Sequence, residues 1–225
     1  VNLLGFETSS TRGSVALATA KGLLVREIET PRDQTERMLA LTDELLAETG
    51  TPLAQLDGIA FGRGPGSFTG LRVSVAVAQG LAAVTAVPLL PVSSLACLAQ
   101  GAWREHGFAR GIVATDAHMG EVYWAEFAVH DGVAAIVGAE RLGAPVEVAA
   151  LAGDGWCAAG NAFAAHADAL AAVRRAAMRV LPELVPSAQD LFPTARRDLA
   201  AGLGAAPTAA RPVYLREHTA WRRSS

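Results

Sequence analysis

Apolar and polar positions in the first 104 residues group into short strands and amphipathic helices. LLGFE (3–7) is an apolar run that closes on an acid and on Thr8-Ser9-Ser10-Thr11, which predicts a strand entering a hydroxyl-rich turn. GSVALATA (13–20) and GLLVREIE (22–29) meet across Lys21-Gly22 and predict an antiparallel hairpin. Met38, Leu41, Leu45 and Leu46 then recur at helical spacing, predicting a helix over about 34–49 with Gly50 as its C-cap. LDGIAFGR (56–63) predicts a fourth strand, 71–87 an Ala/Gly/Val helix and 89–92 a fifth strand. Ser93 or Ser94 caps a third helix that runs to about Arg104. The order β-β-β-α-β-α-β-α is led by a hairpin, unlike the strict alternation of a doubly wound sheet.

A second cycle begins after His106-Gly107. RGIVATDA (110–117), EVYWAEFAV (121–129) and VAAIVG (133–138) predict three strands, with WCAAG (156–160) as a further one. Ala-rich segments near 145–152, 162–180 and 187–203 predict helices. The tail, RPVYLREHTAWRRSS, holds one short strand-like piece and a basic end. The pattern divides into two similar halves, 1–105 and 106–225, with a boundary near 104–109.

Composition narrows the function classes. With 51% hydrophobic and 18% charged residues in 225, a sizeable core is available. The formal net charge of −3 is too near neutral for a chain that grips nucleic acid through its own phosphate contacts. Cys97 and Cys157 are isolated, which suits a reducing cytoplasm and excludes a Cys-rich zinc site. The opening VNLLGFETSS lacks the features of a signal peptide. Residues 73–103 carry no charge, but Gly80, Pro88 and Pro91 interrupt them, which predicts a buried helix and strand rather than a membrane span. The five histidines include no HxxxH pair and predict scattered surface positions rather than a metal site.

The segment with the strongest chemical signal is GRGPGSFTGLRV (62–73). A phosphate-binding P-loop needs a lysine after its last glycine, and the only lysine in the chain is Lys21. Gly64, Gly66 and Gly70 sit between a strand and a helix, but no acid lies between Asp57 and Glu105 to hold a dinucleotide ribose. Ser67 lacks the flanking pattern of a serine nucleophile. What remains is a strand-to-helix turn in which Ser67 or Thr69 caps the helix, whose amides still attract anions.

GRGPGSFTGLRV with its Ala/Gly helix, the early FETSSTRGSVAL, the central TDAHMGEVYWAEF and the late PVYLR occur together and in this order in the TsaB family, formerly YeaZ. The chain resembles that family over nearly its whole length. The resemblance implies an actin/Hsp70/sugar-kinase-like α/β fold, each half carrying a mixed five-stranded sheet led by a β-hairpin. It also implies a cytoplasmic, non-catalytic partner of TsaD, which transfers a threonylcarbamoyl group to the adenosine next to the anticodon of tRNA. TsaE completes the complex, which uses ATP and magnesium; this chain is expected to require no cofactor or metal of its own and to meet tRNA mainly through TsaD. Glu7 stands where relatives usually carry Asp, and Asp116 takes the corresponding place in the second half. With Thr8, Ser9, Gly64, Gly66, Ser67 and Thr69 they are expected to form a vestigial nucleotide or anion loop. His118 stands where many relatives have Arg.

The resemblance further implies pairing through the first two helices, with TsaD or, in its absence, with a second copy. Met38, Leu41 and Leu45 on the first helix, and Arg72, Val73, Val77, Gly80 and Leu81 on the second, are the expected contacts. An alternative is a residual ATPase or small-metabolite kinase working through Glu7, Asp116 and the glycine loop. A free-standing RNA-binding module, using Arg216, Trp221, Arg222 and Arg223, is disfavoured by the net charge.

Overall fold

The computed structural model describes residues 1–29 and 34–216. Two five-stranded mixed sheets repeat one arrangement. In the first, β1 (Leu3–Glu7) pairs antiparallel with β2 (Gly13–Thr19), which pairs with β3 (Gly22–Ile28); β4 (Gly58–Gly62) and β5 (Leu89–Val92) add on the other side of β1, both parallel. In the second, β6 (Arg110–Asp116), β7 (Val122–His130) and β8 (Val133–Gly143) form the meander, and β9 (Cys157–Ala159) and β10 (Arg179–Leu181) add in parallel. This is the actin/Hsp70/sugar-kinase arrangement. The first hairpin turns at Ala20 and Lys21, since Thr19 pairs with Gly22.

The first sheet is covered on both faces, so β1 and β4 are buried at every position. Period-two alternation sends Leu4, Phe6, Ile59 and Phe61 to one face. There they pack against α1 (Gln34–Thr49) and α2 (Phe68–Thr85). Leu3, Ala16 and Ala60 face the other way, against Ala188, Leu191, Phe192 and Ala195. Those residues come from a 3₁₀ turn (Ala188–Leu191) and from the late helix α6 (Phe192–Ala200), so the end of the chain completes the core of its beginning. Gly5 makes room for this: a Cβ there would lie 2.9 Å from the Phe192 ring.

α3 (Ser94–His106) connects the two sheets. Cys97 points into the first core, while Leu95, Leu98, Ala99 and Ala102 point into the second. Polar ties reinforce the join. Arg104 donates to buried Asp190 through two nitrogens (2.7 and 2.9 Å), and Arg63 on the end of β4 pairs at 3.0 Å with Glu140 of β8. Glu140 also accepts from Ser93, the N-cap of α3.

The second half departs from its predicted elements. β8 continues to Gly143, five residues past its predicted end, with Gly138, Ala139 and Glu140 lying at a register shift opposite Trp124 and Glu126 that the alternation did not reveal. The helix expected over 145–152 is a single 3₁₀ turn, Pro145–Glu147. The one expected over 162–180 breaks into α4 (Ala162–Ala165), α5 (Ala171–Ala176) and β10. Residues 211–216 form no strand; Val213 makes one backbone hydrogen bond to Arg63, and Leu89 and Ala205 form an isolated bridge nearby.

Candidate functional site

A cleft of about 1040 Å³ lies between the halves. Its walls are the β1–β2 turn, the start of α2, the β6–β7 turn with Asn161, the 182–186 segment, and Tyr214 with Arg216. The topology brings the two hydroxyl- and acid-bearing turns to face each other because each follows the first strand of its sheet.

Glu7 does not face that space. It is 0% exposed, and its carboxylate is fully engaged: the Ser9 amide donates to Oε1 at 2.6 Å and the Ser94 hydroxyl to Oε2 at 3.1 Å. Burial raises its pKa, and the hydrogen bonds from Ser9 and Ser94 only partly oppose that. Gly62 is the residue that tolerates this acid, because a Cβ there would stand 2.1 Å from Oε2.

The glycine loop is closed upon the β1–β2 turn. Ser9 O accepts from the Ser67 amide at 2.8 Å, and Thr8 donates its hydroxyl to Gly70 O at 2.7 Å while contacting Ser74 Oγ. A Cβ on Gly66 would meet Ser9 O at 2.5 Å, and one on Gly70 would meet Thr8 O at 1.9 Å. Gly64 (φ +101°) likewise has Val213 O and Leu71 within 2.8 Å of a Cβ position, and it precedes Pro65 through a cis peptide. These glycines answer to protein atoms. Ser67 caps α2, accepting from the Gly70 amide at 3.3 Å, and Thr69 is exposed beside it.

Asp116, across the cleft, has two histidine partners. His166 Nε2 is 3.0 Å from Oδ1 and His118 Nδ1 is 3.3 Å from Oδ2; the His118 amide also donates to Oδ1 at 3.0 Å. Burial acts to raise the Asp116 pKa, but these hydrogen bonds and neighbouring imidazoles outweigh it and the net direction is down. The histidines are therefore not all scattered. His166 lies fifty residues from Asp116 and no spacing signal links them. Among the described residues, no group of three His, Cys, Asp or Glu side chains is placed to hold a metal ion. The acids that a magnesium-bound nucleotide would need do not converge, since Glu7 is sealed behind Ser9. The residues present do not fit that group.

The expected contact residues separate sharply. Met38, Leu41 and Leu45 are buried under α1 against the first sheet, and Val77 is buried under α2. They are core, a correction to their expected role as surface contacts: the helical stripe that periodicity reveals is the one that covers the chain's own sheet. Val73 and Leu81 are half-buried, while Arg72 and Gly80 are exposed. The outward stripe of α2 is Thr69, Arg72, Ala76, Gly80 and Ala83, flanked by Phe68 (42% exposed) and Val84 (81%). α2 is long and apolar enough to cross a membrane by length and composition alone, but seven of its residues are buried on the sheet.

The last described residues link this face to the cleft. The Val213 amide donates to Arg63 O at 2.7 Å. Tyr214 packs on Phe68 with ring centroids 5.1 Å apart and accepts from Arg72 Nε at 3.1 Å. Arg216 pairs with Glu121 at 2.6 Å and donates to Ala117 O in the β6–β7 turn. Arg216 is thus committed to protein partners; Trp221, Arg222 and Arg223 lie outside the described residues.

The chain matches the family model described as TsaD, tRNA N6-adenosine threonylcarbamoyltransferase, over residues 28–220. It is 35% identical to the tRNA threonylcarbamoyladenosine biosynthesis protein TsaB of Escherichia coli (strain K12), covering 99% of this chain and 98% of the relative. The protein of the same name from Haemophilus influenzae is 42% identical over 56% of this chain and 53% of its own length. Among solved structures, YeaZ from Pseudomonas aeruginosa superposes with a TM-score of 0.88 at 38% identity, covering 95% of this chain and 99% of that one. Near-complete coverage on both sides, with the same paired sheets beneath, places the chain in the TsaB (YeaZ) family.

Proposed function

We propose that this chain is a non-catalytic partner subunit in the synthesis of tRNA threonylcarbamoyladenosine. It pairs with a TsaD transferase through the outer face of α2 and holds that enzyme in its active form. The single observation that carries this reading is the contrast between the two surfaces. The acid that begins the cleft is sealed from it at 0% exposure, while α2 presents an apolar stripe to solvent. An exposed apolar patch on a helix of this length marks an interaction surface. Small residues at Ala76, Gly80 and Ala83 let a second helix approach closely. Alone, the same face pairs with a second copy, as a self-complementary patch does. The subunit needs no nucleotide or metal of its own, works in the cytoplasm, and meets tRNA through its partner; TsaE and ATP enter with the complex.

The test is to mix the purified chain with TsaD, size the product, and assay tRNA modification with TsaE, ATP and the threonylcarbamoyl donor. A heterodimer that modifies tRNA where TsaD by itself does not is the expected result; full activity of TsaD without this chain would overturn the reading. The non-catalytic part is tested separately by calorimetry with Mg-ATP on the isolated chain. Tight binding that Glu7→Ala abolishes would replace it with an ATPase or kinase.

A further inference from the structure

We propose that Arg72 determines the specificity of the α2 face by receiving a carboxylate from the partner, with Phe68 and Tyr214 holding its guanidinium ready. The inference rests on the docking role proposed for that face. Arg72 is the sole charge in the eighteen residues of α2, and it stands in the middle of the outward stripe between Thr69 and Ala76. Its guanidinium carbon lies 3.8 Å over the Phe68 ring and 6.0 Å from the centre of the Tyr214 ring, while Nε donates to the Tyr214 hydroxyl. Two rings and one hydrogen bond thus fix a side chain that is otherwise among the most mobile. Among the described residues, Nη1 and Nη2 have neither a hydrogen-bond nor an ion-pair partner. A groove of about 300 Å³, lined by Phe68, Thr69, Arg72, Val73 and Ala76, runs alongside.

A partner helix laid on this stripe must cover the guanidinium. Covering a charge without meeting it is strongly unfavourable, so the partner surface needs an acid at that point. The geometry suits a planar carboxylate taken on the terminal nitrogens, with an apolar side chain of the same helix entering the groove. A nucleic acid phosphate is the poorer occupant, because α2 supplies no second cation to follow a backbone. Prior ordering by Phe68 and Tyr214 reduces what binding costs in lost side-chain freedom.

The experiment titrates TsaD with wild-type chain and with R72Q, R72K, Y214F and A76R, at low and moderate salt, with circular dichroism as a check on folding. R72Q is expected to weaken pairing at least about 30-fold and to flatten its salt dependence. R72K is expected to recover little of this, since lysine offers neither the fork nor the stack, and Y214F to lose about fivefold, the worth of one hydrogen bond. Pairing by R72Q within twofold of wild type, while A76R pairs no longer, would overturn the role of Arg72 and leave the docking face standing. Unimpaired pairing by A76R would overturn the face and the inference together. Loss of direct tRNA affinity in R72Q, with TsaD pairing unchanged, would transfer Arg72 to an RNA contact and also overturn the proposal.

Discussion

Glu7→Gln isolates what the buried charge does. Burial raises the Glu7 pKa above its usual 4.5 in spite of the Ser9 and Ser94 hydrogen bonds. Between 4.5 and that raised value the folded chain therefore binds more protons than the unfolded chain, and stability from this group falls as pH rises. Glutamine keeps an acceptor for the Ser9 amide and removes the fall. Relative to wild type, the melting temperature of E7Q is expected to improve from pH 5 to pH 8; a change in the opposite direction would mean that the anion is the favoured form. Glu7→Ala lowers stability at both values because the Ser9 amide loses its acceptor in a dry site. Gly70→Ala probes the neighbouring contact. Its Cβ would press to 1.9 Å on Thr8 O, backbone against backbone, so a loss of about 3 kcal/mol is expected in urea denaturation.

At the scale of one helix, adjacent residues give opposite outcomes. Val77→Arg buries an unpaired charge in the first core and is expected to unfold the chain, while Ala76→Arg leaves circular dichroism unchanged and abolishes pairing on a sizing column. Sequence separates the two only weakly: Arg72, one turn before Ala76, is the single charge that marks the outer face, and the alanines and valines around it give little contrast. α1 did have a direction: Met38, Leu41 and Leu45 form a legible stripe, but periodicity cannot say whether a stripe meets its own sheet or another molecule. Every strand and α-helix of the first half was legible because apolar runs and helical stripes there are separated by clear turn residues; the 3₁₀ turn Leu53–Gln55 and the placement of the hairpin turn one residue early were not. The second half yielded less. GAERL, the far part of β8, breaks the apolar pattern because Glu140 meets Arg63 and Ser93 and Arg141 lies over Trp124, and β10 is three residues beside an Ala-rich run with little contrast. The glycine loop was visible as a strand-to-helix turn, but the reason for its glycines, contact with the Ser9 and Thr8 carbonyls, is a long-range fact. So is the meeting of His166 with Asp116.

For the whole molecule, the decisive feature is that residues 188–195 fill the back of the first sheet. Phe192→Ala is expected to cost about 3–5 kcal/mol. Because Arg104–Asp190 and Arg63–Glu140 tie the halves together, the loss should appear as a single earlier transition in calorimetry, with no separate melting of one half. The same closure bears on synthesis. A ribosome delivers β1 to β5 and the α2 face well before Phe192, and until then Leu3, Ala16, Ala60 and Leu90 lack the cover of Ala188, Leu191, Phe192 and Ala195 on that side. A nascent product that stops short of residue 188 would present the outer face of α2 on an unfinished sheet. A chain truncated at residue 187 is expected to be cut faster than the whole one in limited proteolysis, because the apolar face that Phe192 covers stays exposed.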